Sequence, residues 1–230
     1  MFRAEPPFSS IAPSFSHQID EEPDHVELNG KFDYDAQLGR MGSVCNVVLQ
    51  GSDDDTSLEA FLRTEVLIYV PIDRVRPEGV INIHGMRVSL LATCNESWAK
   101  GRTEDEAGVS GWNVNLSSRF YLRFPDSLAS ARQSFFDAVS ESSDWGSESL
   151  NGPFLIVEQR DVEKSFDLSL VEEASTHKVV LDTKPPVGLR AEMPVIVGLE
   201  DKTRVWSNDV SYDVTYASSW TLDAVEFSVI

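Results

Sequence analysis

The chain has 230 residues, 41% of them hydrophobic, enough to bury the core of one large domain and too many for a disordered chain. Its 38 acidic residues outnumber 19 basic ones, a formal net charge of −19. With no basic face to neutralise phosphates, direct nucleic-acid binding is excluded. No apolar run is long enough to span a bilayer as a helix.

Thirteen of the nineteen basic residues are Arg and six are Lys. A carboxylate-rich, lysine-poor surface suits near-saturated salt, where counter-ions screen the self-repulsion and net charge keeps the protein dispersed. The same composition also fits an ordinary acidic protein.

Residues 1–25 read as an extended arm. Phe2, Phe8, Ile11 and Phe15 are spaced without helical or strand period among Pro6, Pro7 and Pro13, so the arm is expected to dock on a neighbouring subunit. The same prolines interrupt any signal-peptide core, and the chain is expected to be made without cleavage. Residues 26–230 then form the main domain.

Strand signals follow in order. Val44–Gln50 is β-branched and ends at the acidic turn Gly51–Asp55; a short helix is expected over Thr56–Arg63. Val66–Ile72 is an apolar run of strand length, suited to burial on both faces. Val80–Leu91 continues in the same style, with Gly85 marking a bulge or bend. Gly111–Phe124 alternates most clearly: Trp112, Val114, Leu116, Phe120, Leu122 and Phe124 share one face, on which Ser118 is the only small polar residue.

A helix is expected over 127–139, capped by Asp126 or Ser127, with Leu128, Ala131, Phe135 and Ala138 on one stripe. Strands return at Phe154–Gln159, Phe166–Val171, Lys178–Leu181, Val195–Leu199 and Val210–Tyr216. Beyond Trp220 the alternation shifts phase near Ala224 and resumes at Val225, Phe227 and Val229, the mark of a bulge. Nine or ten strands with little helix predict an all-β, antiparallel jelly-roll barrel or sandwich, with room for a small inserted β module.

The search for chemistry assigns no catalytic, cofactor or metal-binding residue. Ser97 and Lys100 have the spacing of a serine nucleophile and lysine base, but the companion motifs of that chemistry do not follow at Lys202-Thr203-Arg204 or Ser207-Asn208-Asp209. Asp53, Asp54, Asp55, Ser57 and Glu59 offer oxygen ligands, yet Leu58 stands where a calcium loop needs glycine. His17, His25, His84 and His177 are scattered. Trp98, Trp145 and Trp206 read either as sugar platforms, as subunit anchors or as core packing. Cys45 and Cys94 are two buried thiols or one disulfide, within the chain or between subunits.

An acidic, lysine-poor, all-β chain of this length, with a proline-containing apolar arm and no site, resembles one family. It is similar to the larger major capsid protein of icosahedral haloarchaeal viruses that enclose an internal membrane. The resemblance implies a vertical single jelly roll with an outward β tower, packed in pseudo-hexameric capsomers of the virion shell. It also implies partnership with copies of itself and a smaller capsid protein, contact with the internal viral membrane, and no enzymatic activity or cofactor. A carbohydrate-binding or hydrolytic β-sandwich is the alternative, and it would need an aromatic-lined groove.

Overall fold

The computed structural model describes residues 1–20, 24–50, 56–75, 85–104, 112–123, 154–162, 167–172, 175–183, 192–207 and 211–229. They form twelve strands and one helical turn: β1 (Phe2–Ala4), β2 (Ser9–Asp20), β3 (His25–Phe32), β4 (Arg40–Gln50), β5 (Thr56–Pro71), α1 (Ile72–Val75), β6 (Met86–Glu104), β7 (Trp112–Arg123), β8 (Phe154–Val162), β9 (Asp167–Glu172), β10 (Ser175–Thr183), β11 (Glu192–Ser207) and β12 (Ser211–Val229).

Every described strand pairing is antiparallel, and the strands form two sheets. The first runs β10-β6-β12-β4-β3, with β9 continuing the β10 edge along β6 and β1 continuing the β4 side along β12. The second runs β2-β5-β11-β7-β8. Eight strand positions, β4-β12-β6-β10 facing β5-β11-β7-β8, have the two-Greek-key order of a jelly roll. The strands β2 and β3 extend each sheet by one on the same side. The fold is therefore the expected antiparallel sandwich, and every described strand belongs to one of its two sheets.

Alternation explains the core. On β5, Leu58, Ala60, Leu62, Val66, Ile68 and Val70 point between the sheets. On β11, Val195, Val197, Leu199 and Val205 face them, and on β7 Leu116, Phe120 and Leu122 do. Two buried apolar clusters result. The larger contains Trp220 edge-on to Phe120, with ring centroids 5.4 Å apart. The smaller contains Cys45, Val47, Leu49, Leu116, Val214 and Tyr216.

The phase shift near Ala224 is a bulge: the β12–β6 register slips between Leu222 and Ala224. The skipped Asp223 accepts from Thr93 Oγ1 at 2.7 Å. A second slip, between Ser219 and Trp220, skips Asn95 on β6. It carries the inward face from even-numbered Met86–Cys94 to odd-numbered Ser97 and Ala99.

Two expectations need correction, and the alternatives for the cysteines are decided. Thr56–Arg63 is strand, not helix. Phe61 and Arg63 are buried on the outer face while Leu58, Ala60 and Leu62 are buried on the inner one, so burial on both sides erases the polar alternation that would have announced a strand.

The segment 1–25 is not an arm awaiting a neighbour. β1 pairs with β12 and β2 with β5 of the same chain. Phe2 stacks on Phe227, while Phe8 and Ile11 are buried; only Phe15 remains substantially exposed among the four. Its period is hidden because Pro13 sits in a bulge between Ile11 and Ser14.

Cys45 and Cys94 are both free and buried. They flank β12 from opposite sides, opposite Tyr216 and Trp220 respectively. Two strand spacings of about 4.8 Å and four residues of about 3.3 Å separate them, well beyond the roughly 7 Å that a disulfide spans. Burial also keeps each from a second chain.

The helix expected over 127–139 and the acidic turn at 51–55 lie outside the described residues. Among the described residues no helix is long and apolar enough to cross a membrane.

Candidate functional site

The two apolar clusters do not merge. Between them lies a belt of buried polar side chains contributed by both sheets. In the first sheet, Ser97 on β6, Ser218 on β12 and Ser43 on β4 stand in one cross-strand row. In the second sheet, Asp201 on β11 stands opposite Ser118 on β7. All five are buried.

The rows meet at the Asp201 carboxylate. Ser43 and Ser218 each donate to Oδ2 at 2.5 Å, and Ser118 donates to Oδ1 at 2.5 Å. Tyr216 Oη lies 2.6 Å from Ser118 Oγ; with the Ser118 proton committed to Asp201, Tyr216 is the donor there. Ser97 Oγ makes no hydrogen bond to a described group.

Hydroxyl donors favour the charged carboxylate, but loss of water dominates. Burial pushes Asp201 up to about 6, the serine donors pull against it, and Glu200 on the opposite face of β11 adds to the rise. Burial likewise pushes the Cys45 thiol up to about 11, which keeps it an inert core residue.

A second network lies on the outer face of the second sheet. Arg63 Nε donates to Glu200 Oε2 at 2.5 Å, with both side chains buried, and Arg63 Nη1 donates to Ser16 Oγ at 3.1 Å. Lys202 Nζ and Arg204 Nε share Glu59 Oε1 at 3.0 and 3.2 Å. Lys202 also sits 5.5 Å from the Phe61 ring centre. Its burial lowers the ammonium to about 8 against the pull of Glu59.

One row along, Tyr121 Oη donates to Glu65 Oε1 at 2.7 Å across the intervening strand β11. The reach is open because Gly198 stands between them, and a Cβ there would fall inside the Tyr121 ring. These are interactions between neighbouring strands on one sheet face. They tie β5, β11 and β7 together side by side.

The sequence-derived candidates fall elsewhere. Ser97 and Lys100 lie within the long strand β6, not at the start of a helix where that nucleophile motif places its serine. Ser57 donates to Asp20 Oδ2 and Glu59 is held by Lys202 and Arg204; these two oxygens serve strand pairing, and Asp53, Asp54 and Asp55 lie outside the described residues. Among the described residues no group of three or more His, Cys, Asp or Glu is placed to hold a metal. His25 meets Glu27 on its own strand, at 3.2 Å. His84 and Trp145 lie outside the described residues.

What the sequence reading missed is the belt. Its signal was faint: Ser118 was the lone small polar residue on an apolar face, and Asp201 occupies an inward position two residues after Leu199. The partners Ser43 and Ser218 lie 158 and 17 residues from Asp201 along the chain.

No family model matches this chain, and no curated protein matches it. Among solved structures, one of TmCBM61 in complex with β-1,4-galactotriose is similar at 10% identity, covering 86% of this chain and 87% of that one, with a TM-score of 0.18. A likeness of that size carries no argument about this chain.

Proposed function

We propose that this chain is a non-enzymatic building block of a protein shell, in the manner of the larger major capsid protein of haloarchaeal internal-membrane viruses. The observation that supports the reading best is the jelly-roll strand order, closed around an interior occupied by two apolar clusters and a hydrogen-bonded belt. Such a body offers stiff walls for side-by-side packing while its end loops vary freely. The charge of −19 keeps assembled particles apart in brine, where counter-ions relieve the repulsion between subunits. On this reading the chain works by burying surface against its own copies and a smaller companion protein, with one end toward an internal membrane.

The test is solution size against salt. Purified full-length chain, examined by sedimentation and negative-stain microscopy, is expected to form defined oligomers in molar NaCl that dissolve at low salt. A monomer at every salt concentration that retains oligosaccharides on an affinity column would replace this reading with that of a sugar-binding sandwich.

A further inference from the structure

We propose that Asn95 is the acceptor of an N-linked sugar, attached while β6 is still unpaired, and that Ser97 is the hydroxyl the transferring enzyme reads before folding buries it.

Asn95-Glu96-Ser97 has the Asn-X-Ser pattern of such acceptors, with X other than proline. The pattern alone is common, and it recurs at Asn115-Leu116-Ser117. The place of the first on β6 singles it out. Pairing with β12 steps from Cys94 opposite Trp220 to Glu96 opposite Ser219 and skips Asn95. On the other side of β6, the described ladder with β10 stops at Cys94 and that with β9 starts at Ser97. Cys94 and Ser97 are buried, at 0% and 1%, while Asn95 and Glu96 between them are both exposed. A bulge that turns two consecutive side chains outward accommodates a bulky, solvated substituent without displacing the core.

The bonding of Asn95 is compatible with the modification. Its Nδ2 donates to Thr221 Oγ1 at 2.9 Å. A side-chain amide carries two N–H donors, so a sugar replaces one and the other keeps Thr221.

Ser97 supplies the second observation. Ser43, Ser118 and Ser218 each donate to Asp201. Ser97 stands in the same cross-strand row as Ser43 and Ser218, yet its buried Oγ makes no hydrogen bond to a described group. Burying a hydroxyl without a partner costs stability, and alanine at 97 would fill the position without that cost. A hydroxyl that the folded sandwich does not use fits a requirement met before the sheet closes.

The reaction is a substitution with no change of oxidation state. Asn95 Nδ2 attacks the anomeric carbon of a glycosyl phosphate donor and forms the C–N bond. The bond from that carbon to the phosphate oxygen breaks, the phosphate leaves with its electron pair, and Nδ2 gives one proton to a base of the enzyme. The donor is a lipid-linked oligosaccharide or a nucleotide sugar, which share this chemistry. The assignment goes beyond the shell reading and does not rest on it.

The experiment is expression of the full chain in a host with N-linked glycosylation, such as a halophilic archaeon, with a bacterium lacking that pathway as the blank. Trypsin cuts after Arg87 and Lys100 and after Arg102 and Arg119, which separates the two patterns into peptides 88–100 and 103–119. Mass spectrometry should find sugar on peptide 88–100 from the host and none from the blank. Asn95→Gln and Ser97→Ala should each lose it, and Ser97→Thr, which keeps the pattern, should retain it. Peptide mapping reads the modification whether or not a variant folds. An oligosaccharide that disappears when the host's oligosaccharyl transferase is deleted supports the assignment through a lipid-linked donor; a single hexose that survives the deletion supports it through a nucleotide sugar.

Unmodified peptide 88–100 from a host whose own surface glycoprotein is modified in the same culture overturns the proposal. Sugar on peptide 103–119 in its place does so too, as does sugar that persists in Ser97→Ala. The role of Ser97 has a separate readout: made in the bacterium, Ser97→Ala should melt no lower than the parent. A clear fall would show that the hydroxyl serves the fold and overturn its part in the proposal.

Discussion

Asp201 is a carboxylate sealed between two sheets, and its neighbours are hydroxyls and a second acid, Glu200. Its folded pKa of about 6 lies above the ordinary 3.8. The native state therefore holds a proton that the unfolded chain has released between about pH 6 and pH 4. The cost of the buried charge is present in full above that window and is relieved as pH falls through it, so stability should rise on acidification. The size is on the order of 3 kcal/mol, because each tenfold change in proton affinity is worth about 1.4 kcal/mol. Asp201→Asn keeps the shape without the charge, so its denaturation midpoint should be higher than the parent's at pH 8. It should also gain less than the parent between pH 7 and 5. Identical pH slopes in the two proteins would show that Asp201 carries no such penalty. At Gly198 the issue is space: Gly198→Ala drives a methyl into the Tyr121 ring, and displacing that ring breaks its bond to Glu65. A loss of about 1–3 kcal/mol is expected from overpacking, read as a lower urea midpoint with an unchanged slope.

At the scale of elements, the amino-terminal strands gain their order from tertiary pairing. Around the β2 bulge the ladder is interrupted, and Tyr34 repairs it: its hydroxyl accepts from Ile11 N–H at 3.2 Å and donates to the Glu65 carbonyl at 2.6 Å. Phe8 N–H is tied to the Ala36 carbonyl at 3.0 Å in the loop that precedes β4. In that loop Gly39 adopts φ 67° and its carbonyl accepts from Leu222 N–H at 2.8 Å, a backbone shape that favours glycine. Deleting residues 1–20 removes the buried Phe8 and Ile11 and the Phe2 stack, worth roughly 1.5–3 kcal/mol for each fully buried side chain. The truncated protein should melt well below the parent, or fail to fold at low salt. A truncated chain with the parent's melting temperature would return the segment to the role of a passive tail.

For the molecule as a whole, charge sets the conditions under which the sandwich holds. Twice as many acids as bases repel one another over a compact body, and screening shortens that repulsion from about 10 Å at 0.1 M salt to about 3 Å at 1 M. The thermal midpoint should therefore climb steeply from low to molar NaCl and then flatten. The buried Arg63–Glu200 pair is shielded from that screening, so Glu200→Gln should lower stability by a similar amount at both ends of the range. A midpoint that is flat across the whole salt series would remove the argument from charge. The polar belt belongs to this scale too: it divides the interior into two apolar clusters and makes the register of both sheets mutually dependent, since Ser43, Ser118 and Ser218 reach Asp201 in one alignment only.

Sequence by itself determined the class of the fold, because period-two alternation is a local property. Leu116, Phe120 and Leu122 announced β7, and the skipped phase near Ala224 announced the bulge at Asp223. It also determined the net charge, which is a sum over residues. Tertiary structure decided whatever depends on partners distant in the chain. Thr56–Arg63 became strand because both its faces are covered, and residues 2–4 and 9–20 became strands because β12 and β5 offered them edges. Cys45 and Cys94 stayed apart because β12 runs between them. Asp201 became the centre of a belt because alternation turned it inward and the pairing of β4 with β12 set Ser43 beside Ser218. A strand's face is written in its own residues, whereas its neighbours are chosen by long-range pairing, and pairing is where the candidate site arises.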